Sequence, residues 1–204
     1  LVLPNNLNTI YNRQFRELWS LEEIVIPDGV TEIPEAAFYD CHALSNVTLS
    51  KNLTSIGNYA FYSCHALENI VIPEGVTEIG NAAFYGCTYL SELTLPASMQ
   101  YIADNGFALC AKLTSMTVNA TVPPTVAART FEEVDRTIPV YVPQEAVDLY
   151  KTAPVWQEFY IVGKLPSSLE NLPTATEKSQ KLIRDGQLII LHDGKTYNAM
   201  GQEL

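Results

Sequence analysis

The sequence lacks three features that would each point to a class of protein. Its longest aliphatic run is Leu188–Leu191, whereas a membrane-spanning helix needs about 20 apolar residues, so we expect no membrane insertion. Basic residues are scarce, with 12 Lys and Arg against 23 Asp and Glu, and the formal net charge is −11. Such a surface repels phosphate backbones, which argues against nucleic acid as a partner.

Motifs for catalysis and cofactor binding are also missing. The sequence contains no P-loop, Rossmann fingerprint, HExxH, GxSxG or CxxC. Neither His42 nor His65 has a nucleophile or an orienting carboxylate at a spacing typical of a catalytic pair. We therefore expect no catalytic residue, no cofactor and no enzymatic activity.

What the sequence does contain is an internal repeat of 23 residues. The pattern L-x-x-[ILV]-x-[IL]-[PS]-x-x-[VLM]-x-x-I-x-x-x-[AG]-F-x-x-C occurs four times without an insertion. Residues 1–20 fit it from its fourth position onward, and LTSMTV at 113–118 begins a fifth copy that then departs from the pattern. The copies start at Leu21, Leu44, Leu67, Leu90 and Leu113.

The pattern predicts how one repeat folds. Ile24 and Ile26 alternate as they would on one face of a short strand, and Pro27 ends that strand because it lacks a ladder donor. The A-F-x-x-C segment is too short for a full helix, which favours a helical or 3₁₀ turn. Because one unit cannot bury its apolar side alone, the units stack into a solenoid whose strands pair in parallel, about 4.8 Å apart.

One cysteine falls at the same position of each full repeat. Free Cys in an apolar pattern behaves as a small buried hydrophobe, and we favour that interpretation. Disulfides between neighbours remain an alternative on Cα distance alone. Metal binding is less favoured, because a column with one ligand per repeat does not converge. The four are Cys41, Cys64, Cys87 and Cys110.

The outward positions of the strands are the first candidate binding surface. They form a flat face of small and β-branched side chains, which suits a protein partner. Residues 1–112 carry 12 acidic and four basic side chains, which would suit a basic partner; the alternative is that the acids confer solubility alone. The candidate residues are Glu23, Asn46, Asn69 and Glu92 in one column, and Val25, Thr48, Val71 and Thr94 in the next.

Aromatic and imidazole side chains form two further columns. Tyr39, Tyr62 and Tyr85 recur at one repeat position, where stacked tyrosines can bind a sugar or a protein, or simply cover the Phe column. His42 and His65 share a position, and we interpret them as a stacked, partly exposed edge rather than as a contact stripe. The tyrosines are therefore candidates for partner binding, with a glycan as the alternative ligand.

The repeat pattern resembles that of the BspA-like, or Treponema pallidum-type, leucine-rich repeats of secreted and surface proteins common in Bacteroidetes. The resemblance covers residues 1 to about 118. It implies a concave parallel sheet with the Phe and Cys columns on the convex side, and a role in adhesion or protein binding, to a host or matrix protein for example. It also implies a secreted or cell-surface location. No signal peptide precedes Leu1, and we interpret the sequence as a trimmed piece that opens within a repeat.

Residues 113–163 are predicted to cap the solenoid, because an exposed last repeat would leave a raw sheet edge. IPVYVP at 138–143 predicts a strand, and Ala146, Leu149 and Tyr150 have helical spacing. The segment also resembles the ending common to the same family. Residues 164–180 are rich in Ser, Thr and Pro, which predicts a linker.

Residues 181–204 are predicted to form a small β-rich tail. Asp185-Gly186 and Asp193-Gly194 are hairpin turn signals between alternating apolar runs. The tail resembles the C-terminal sorting module of proteins exported by the Bacteroidetes type IX system, and the alternative is an accessory hairpin docked on the cap. The predicted fold is thus an α/β repeat solenoid over 1–118 with an α+β cap, a linker and this hairpin tail.

Overall fold

The computed structural model describes residues 1–164, 179–184, 187–192 and 195–197. The chain divides into two compact units, Leu1–Val162 and Gly163–Leu204. No helix in these described ranges is long and apolar enough to cross a membrane. All of the repeats belong to the first unit.

The L-x-x-I-x-I segment of each repeat forms a strand of a parallel ladder, as predicted. Ile24 lies opposite Val47, and Leu93 lies opposite Met116, so each buried residue meets its equivalent one repeat later. The strands are β1 (Glu23–Val25), β3 (Asn46–Thr48), β5 (Asn69–Val71), β7 (Glu92–Leu95) and β9 (Ser115–Val118). β1 pairs with β3, while β5, β7 and β9 belong to a second ladder that lies next to β3.

A second parallel sheet follows the turn that comes after each of these strands. Its strands have only two residues, and the second residue of the first four is a buried isoleucine. They are β2 (Glu32–Ile33), β4 (Ser55–Ile56), β6 (Glu78–Ile79), β8 (Tyr101–Ile102) and β10 (Thr125–Val126), and they pair in that order. The apolar core therefore lies between two sheets, where the sequence pattern indicated only one.

The sequence of the fifth repeat departs from the pattern after Val118, as expected, but its fold continues the solenoid. Thr125 pairs with Tyr101 in the second sheet, one residue later than a strict period of 23 would place it. Phe131 then stacks on Phe107 with ring centroids 5.9 Å apart. A single inserted residue hid this repeat from a pattern read at fixed spacing.

A continuous column of phenylalanine rings runs through the repeats. Successive rings are nearly parallel, with centroids 5.0–5.9 Å apart and interplanar angles of 1–12°. This spacing matches offset aromatic stacking, which contributes about 0.5–1.5 kcal/mol per pair beyond the burial of area. The column consists of Phe15, Phe38, Phe61, Phe84, Phe107 and Phe131.

The segment around each Phe consists of successive turns, so the expected helical or 3₁₀ turn is wrong. Ala36 and Asp40 have φ angles of 54° and 57°, in the left-handed region. The N–H groups of Ala36 and Phe38 donate to the carbonyls of Asn58 and Ala60 in the next repeat, at 2.9 and 2.8 Å. In a helix, these N–H groups would donate to carbonyls of their own repeat. The turns instead direct alternate N–H groups to the neighbouring repeat, which adds a hydrogen-bonded ladder on this side.

The four cysteines are buried and unpaired, in agreement with the favoured interpretation. Each thiol donates a hydrogen bond to the carbonyl of the Phe one repeat earlier, at 3.0–3.4 Å. Burial disfavours the thiolate and raises the pKa of Cys41 to about 11 and that of Cys110 to about 12. These side chains are therefore inert components of the core.

Residues after the fifth repeat cover the end of the solenoid. Phe131 meets the rings of Trp156 and Phe159 edge-on, with centroids 5.3 and 5.5 Å away. The Trp156 indole N–H donates to the carbonyl of Pro124, so the buried ring keeps a polar partner. The elements are β11 (Pro139–Pro143), a 3₁₀ helix (Gln144–Ala146), α1 (Val147–Tyr150), a 3₁₀ helix (Trp156–Glu158) and β12 (Tyr160–Lys164). The predicted strand and the predicted short helix are both present.

The second unit contains an antiparallel sheet of three strands, as the alternating runs predicted. They are β13 (Ser179–Arg184), β14 (Gln187–His192) and β15 (Lys195–Tyr197). Arg184 lies opposite Gln187, and His192 lies opposite Lys195, so each connection has two residues. The Asp-Gly turns themselves, and residues 165–178 of the predicted linker, lie outside the described residues.

The Phe column predicts unequal costs for truncating its rings. Phe61 is fully buried between Phe38 and Phe84, and Phe61→Ala should lower the free energy of unfolding by about 3–5 kcal/mol, because both neighbours lose contacts. Phe15 stacks on Phe38 alone among the rings of the column, so Phe15→Ala should cost clearly less. Urea unfolding of both variants measures the difference, and equal shifts of the midpoint would contradict the stacking argument.

The cysteine column predicts thiols that do not react in the native protein. Titration with an aromatic disulfide reagent at about pH 8 should show little reaction, because the buried thiols are protonated there. The same titration after unfolding in urea should detect all four thiols. Rapid reaction of the native protein would disprove burial, and fewer than four thiols after unfolding would indicate disulfides.

Candidate functional site

The outward side chains of the first set of strands form a continuous surface, which we call the strand face. Parallel pairing places Glu23 beside Asn46 and Asn69 beside Glu92, and aligns the second row in the same way. The first row contains Glu23, Asn46, Asn69, Glu92 and Ser115, and the second contains Val25, Thr48, Val71, Thr94 and Thr117. The structure therefore brings together all eight predicted strand residues. Their role in binding remains a prediction.

Two valines make the strand face partly apolar. Val25 is 59% exposed and Val71 is 69% exposed, and each is the last residue of a three-residue strand. Threonines occupy the same row in the neighbouring strands and add further methyl groups. The row is thus a flat ridge of methyl groups, bordered by the polar first row.

Tyr141 extends the second row beyond the residues that the sequence analysis selected. β11 continues the ladder in parallel with β9, and Tyr141 lies opposite Thr117. Val140 and Val142 on either side are buried, so Tyr141 points outward and is 37% exposed. The signal was present in the alternation of IPVYVP. It was missed because this segment was assigned to the cap as a whole.

Acidic side chains differ in whether a cation neutralises them. On the turn side of the repeats, ion pairs join Arg13 to Glu35, Arg16 to Glu17 and Arg129 to Asp104. On the strand side, four exposed carboxylates have no ion pair within the described part of the chain: Glu22, Glu23, Glu68 and Glu92. The acidic side chains along the strand face are therefore not compensated by an ion pair among the residues that the structure describes.

The tyrosine column is a closed stack rather than an open platform. The ring centroids of Tyr39 and Tyr62 are 4.7 Å apart and those of Tyr62 and Tyr85 are 4.9 Å apart, with interplanar angles of 3–4°. The Arg16 guanidinium lies 4.7 Å from the centroid of Tyr39 and covers its other face. Partial burial and the neighbouring tyrosines raise the pKa of Tyr62. Sugar stacking needs an exposed ring face, and this stack covers both faces of its first two rings.

His42 and His65 form the stacked edge that the sequence indicated. Their ring centroids lie 5.0 Å apart. His65 Nδ1 contacts the carbonyl oxygen of Gly86 at 2.9 Å, and His42 Nε2 lies 3.6 Å from a carboxylate oxygen of Asp40. Among the described residues, no group of three or more His, Cys, Asp or Glu side chains is placed to hold a metal ion.

Three solved structures are similar to this chain. The leucine-rich repeat protein of T. pallidum is 23% identical with a TM-score of 0.56, over 87% of this chain and 84% of that one. The pneumococcal vaccine antigen PcpA is 21% identical with a TM-score of 0.57, over 74% of this chain and 44% of that one. A leucine rich cell surface protein of Faecalibacterium prausnitzii is 23% identical with a TM-score of 0.58, over 97% and 53%. The chain thus spans about half the length of the last two. These likenesses show the fold.

The sequence itself carries the family assignment. No curated protein matches the chain. The family model of the BspA type leucine rich repeat region matches residues 2–135 in six copies, which is about two thirds of the chain. The matched range includes the strand Thr125–Val126 and Phe131, which the fixed pattern missed. The chain therefore belongs to the BspA-type leucine-rich repeat family.

Proposed function

We propose that this chain is a non-enzymatic protein-binding module of a secreted or cell-surface protein, and that the strand face is its contact surface. The observation that carries the proposal is the exposure of Val25 and Val71 at equivalent positions of the parallel strands β1 and β5. Burial of two such side chains against a partner contributes about 1–2 kcal/mol each. A partner that covers the strand face gains this energy without any rearrangement of the solenoid.

The family supports a role outside the cell. One structural neighbour is a cell-surface protein of F. prausnitzii, and another is a pneumococcal vaccine antigen. By analogy we assign this chain to the same environment, with adhesion to a host or matrix protein as the expected consequence. The buried, protonated thiols are compatible with this environment because oxidants reach only exposed thiolates.

A protein partner fits the strand face better than a glycan fits the tyrosines. The strand face is flat and has short side chains, as protein interfaces require for close packing. The first two rings of the tyrosine column are covered on both faces, so a sugar could stack only on Tyr85. Glycan binding is therefore the alternative outcome that the experiment must distinguish.

The experiment measures binding of the labelled chain to a panel of immobilised extracellular matrix proteins and to a glycan array. The double variant Val25→Ser/Val71→Ser should weaken binding to a matrix protein by about tenfold or more, since it removes the apolar ridge. Val122→Ser is the matched control, because Val122 is 70% exposed but lies outside the strand face. Matrix-protein binding that survives the double variant, or binding to glycans alone, would refute the proposal.

We also propose that residues 181–204 are a separable sorting module for export. Support comes from the three-stranded antiparallel sheet of the second unit and from the predicted linker before it. A sheet of three short strands is at the lower limit of independent stability, which suits an export signal better than an element of the core.

Deletion of residues 165–204 tests this role. The thermal midpoint should shift by only a few degrees, less than about 1 kcal/mol, because the Phe column and the elements that cover its end are untouched. In the native cell the same deletion should abolish the cell-surface signal. A hairpin docked on the cap predicts the reverse, namely clear destabilisation with normal export. A folded and normally exported truncation would contradict both interpretations.

A further inference from the structure

The strand face carries charge of one sign. Glu23 and Glu92 lie in its first row, and Glu22 and Glu68 lie next to the strands that bear it. Lysine and arginine are absent from the outward positions of β1, β3, β5, β7 and β9. Three cations lie near these strands, and each has a partner. Lys51 pairs with Asp28 at 2.8 Å, the Lys112 ammonium lies 3.5 Å from the centroid of the Tyr89 ring, and the Leu1 ammonium donates to the carbonyl of Glu23 at 3.3 Å.

Some acidic side chains on other faces are neutralised. On the turn side of the same repeats, arginines neutralise Glu17, Glu35 and Asp104. Solubility alone would be served by acids on any side, whether or not they are paired. Exposed acids on other faces also have no ion pair among the described residues, for example Glu32, Glu78 and Glu132. The strand face differs because its bare carboxylates lie beside the exposed Val25 and Val71. A partner that covers this surface must supply positive charge, since it otherwise buries these carboxylates without compensation.

The row that ends in Tyr141 offers a second means of holding a cation. Tyr141 is 37% exposed in β11, and Tyr160 is 64% exposed in the adjoining strand β12. An ammonium or guanidinium group is attracted to the face of such a ring. The aliphatic stems of lysine and arginine can lie along the valine and threonine methyl groups while their charged ends reach the carboxylates.

The strand face has the length of a short extended peptide. Six strands from β1 to β11 at about 4.8 Å spacing give a row roughly 24 Å long. An extended chain at about 3.3 Å per residue crosses this row with about seven residues. One segment of that length therefore reaches both Glu23 and Tyr141.

We infer that the strand face binds a basic polypeptide segment, rich in lysine or arginine and extended across the strands. This inference rests on the proposed function and names the chemical class of its partner. A second copy of the chain is a poor occupant, because two strand faces of equal negative charge repel. Polyanions such as nucleic acids and sulfated glycans are excluded for the same reason.

The test uses the full chain and fluorescein-labelled peptides of about eight residues that alternate lysine with alanine, or glutamate with alanine. Fluorescence anisotropy at low salt should show binding of the lysine peptide alone, and binding should weaken as salt rises. Glu23→Gln/Glu92→Gln should weaken it about fivefold, the loss expected for two exposed ion pairs. Tyr141→Leu should weaken it about twofold, with an unchanged urea midpoint.

The matched control is Glu132→Gln/Glu133→Gln. It removes the same charge from exposed residues on the turn side of the fifth repeat and should leave the affinity within experimental error. If this control weakens peptide binding as much as Glu23→Gln/Glu92→Gln does, the binding depends on net charge alone and the inference is overturned. So would strand-face dimerisation in sedimentation that Val25→Ser/Val71→Ser abolishes. A matrix protein that binds through Val25 and Val71 while the lysine peptide fails to bind would refute only the basic partner and leave the proposed function standing.

Discussion

The constraint on which the structure depends is that no repeat can bury its own apolar side. Each Phe needs the ring of the next repeat, and the spacing of 23 residues delivers it with centroids 5.0–5.2 Å apart through the four regular steps. The same register aligns each thiol with a Phe carbonyl and each turn with the next. Where one residue is inserted, the Phe107–Phe131 distance grows to 5.9 Å, and the column ends against Trp156 and Phe159.

The sequence predicts the parts of the fold that side chains specify. Alternation around Ile24 located the strands, and the apolar setting of the cysteines predicted their burial. The second sheet was missed although its buried isoleucines recur in the pattern, because strands of two residues are too short to show alternation. The left-handed turns at Ala36 and Asp40 are held by backbone hydrogen bonds between repeats, which leave no side-chain pattern. The end of the fifth repeat was missed because Phe131 is shifted by one residue and Val134 takes the place of the cysteine.

The candidate site also has one part that the sequence predicts and one part that it does not. The two rows of the strand face follow from periodicity and register alone, so all eight strand candidates were correctly placed on one surface. The pattern of neutralised charge does not follow from periodicity. Arg13 and Glu35 are 22 residues apart and Arg129 and Asp104 are 25 apart, and only the geometry of the turns shows that they meet. The acidic composition was visible in the sequence, while the pairing of individual acids with arginines was not.

Stability and recognition use different positions of the same repeat. The inward column is phenylalanine in all six places, because a smaller residue would open a cavity between two neighbours. The outward row carries valine, threonine and tyrosine in turn, since those side chains touch no neighbouring layer of the core. Charge and shape on the strand face can therefore change without cost to the stack. Under the proposed function, partner choice is thus set by the outward rows, and the core fixes only the spacing at which they are presented.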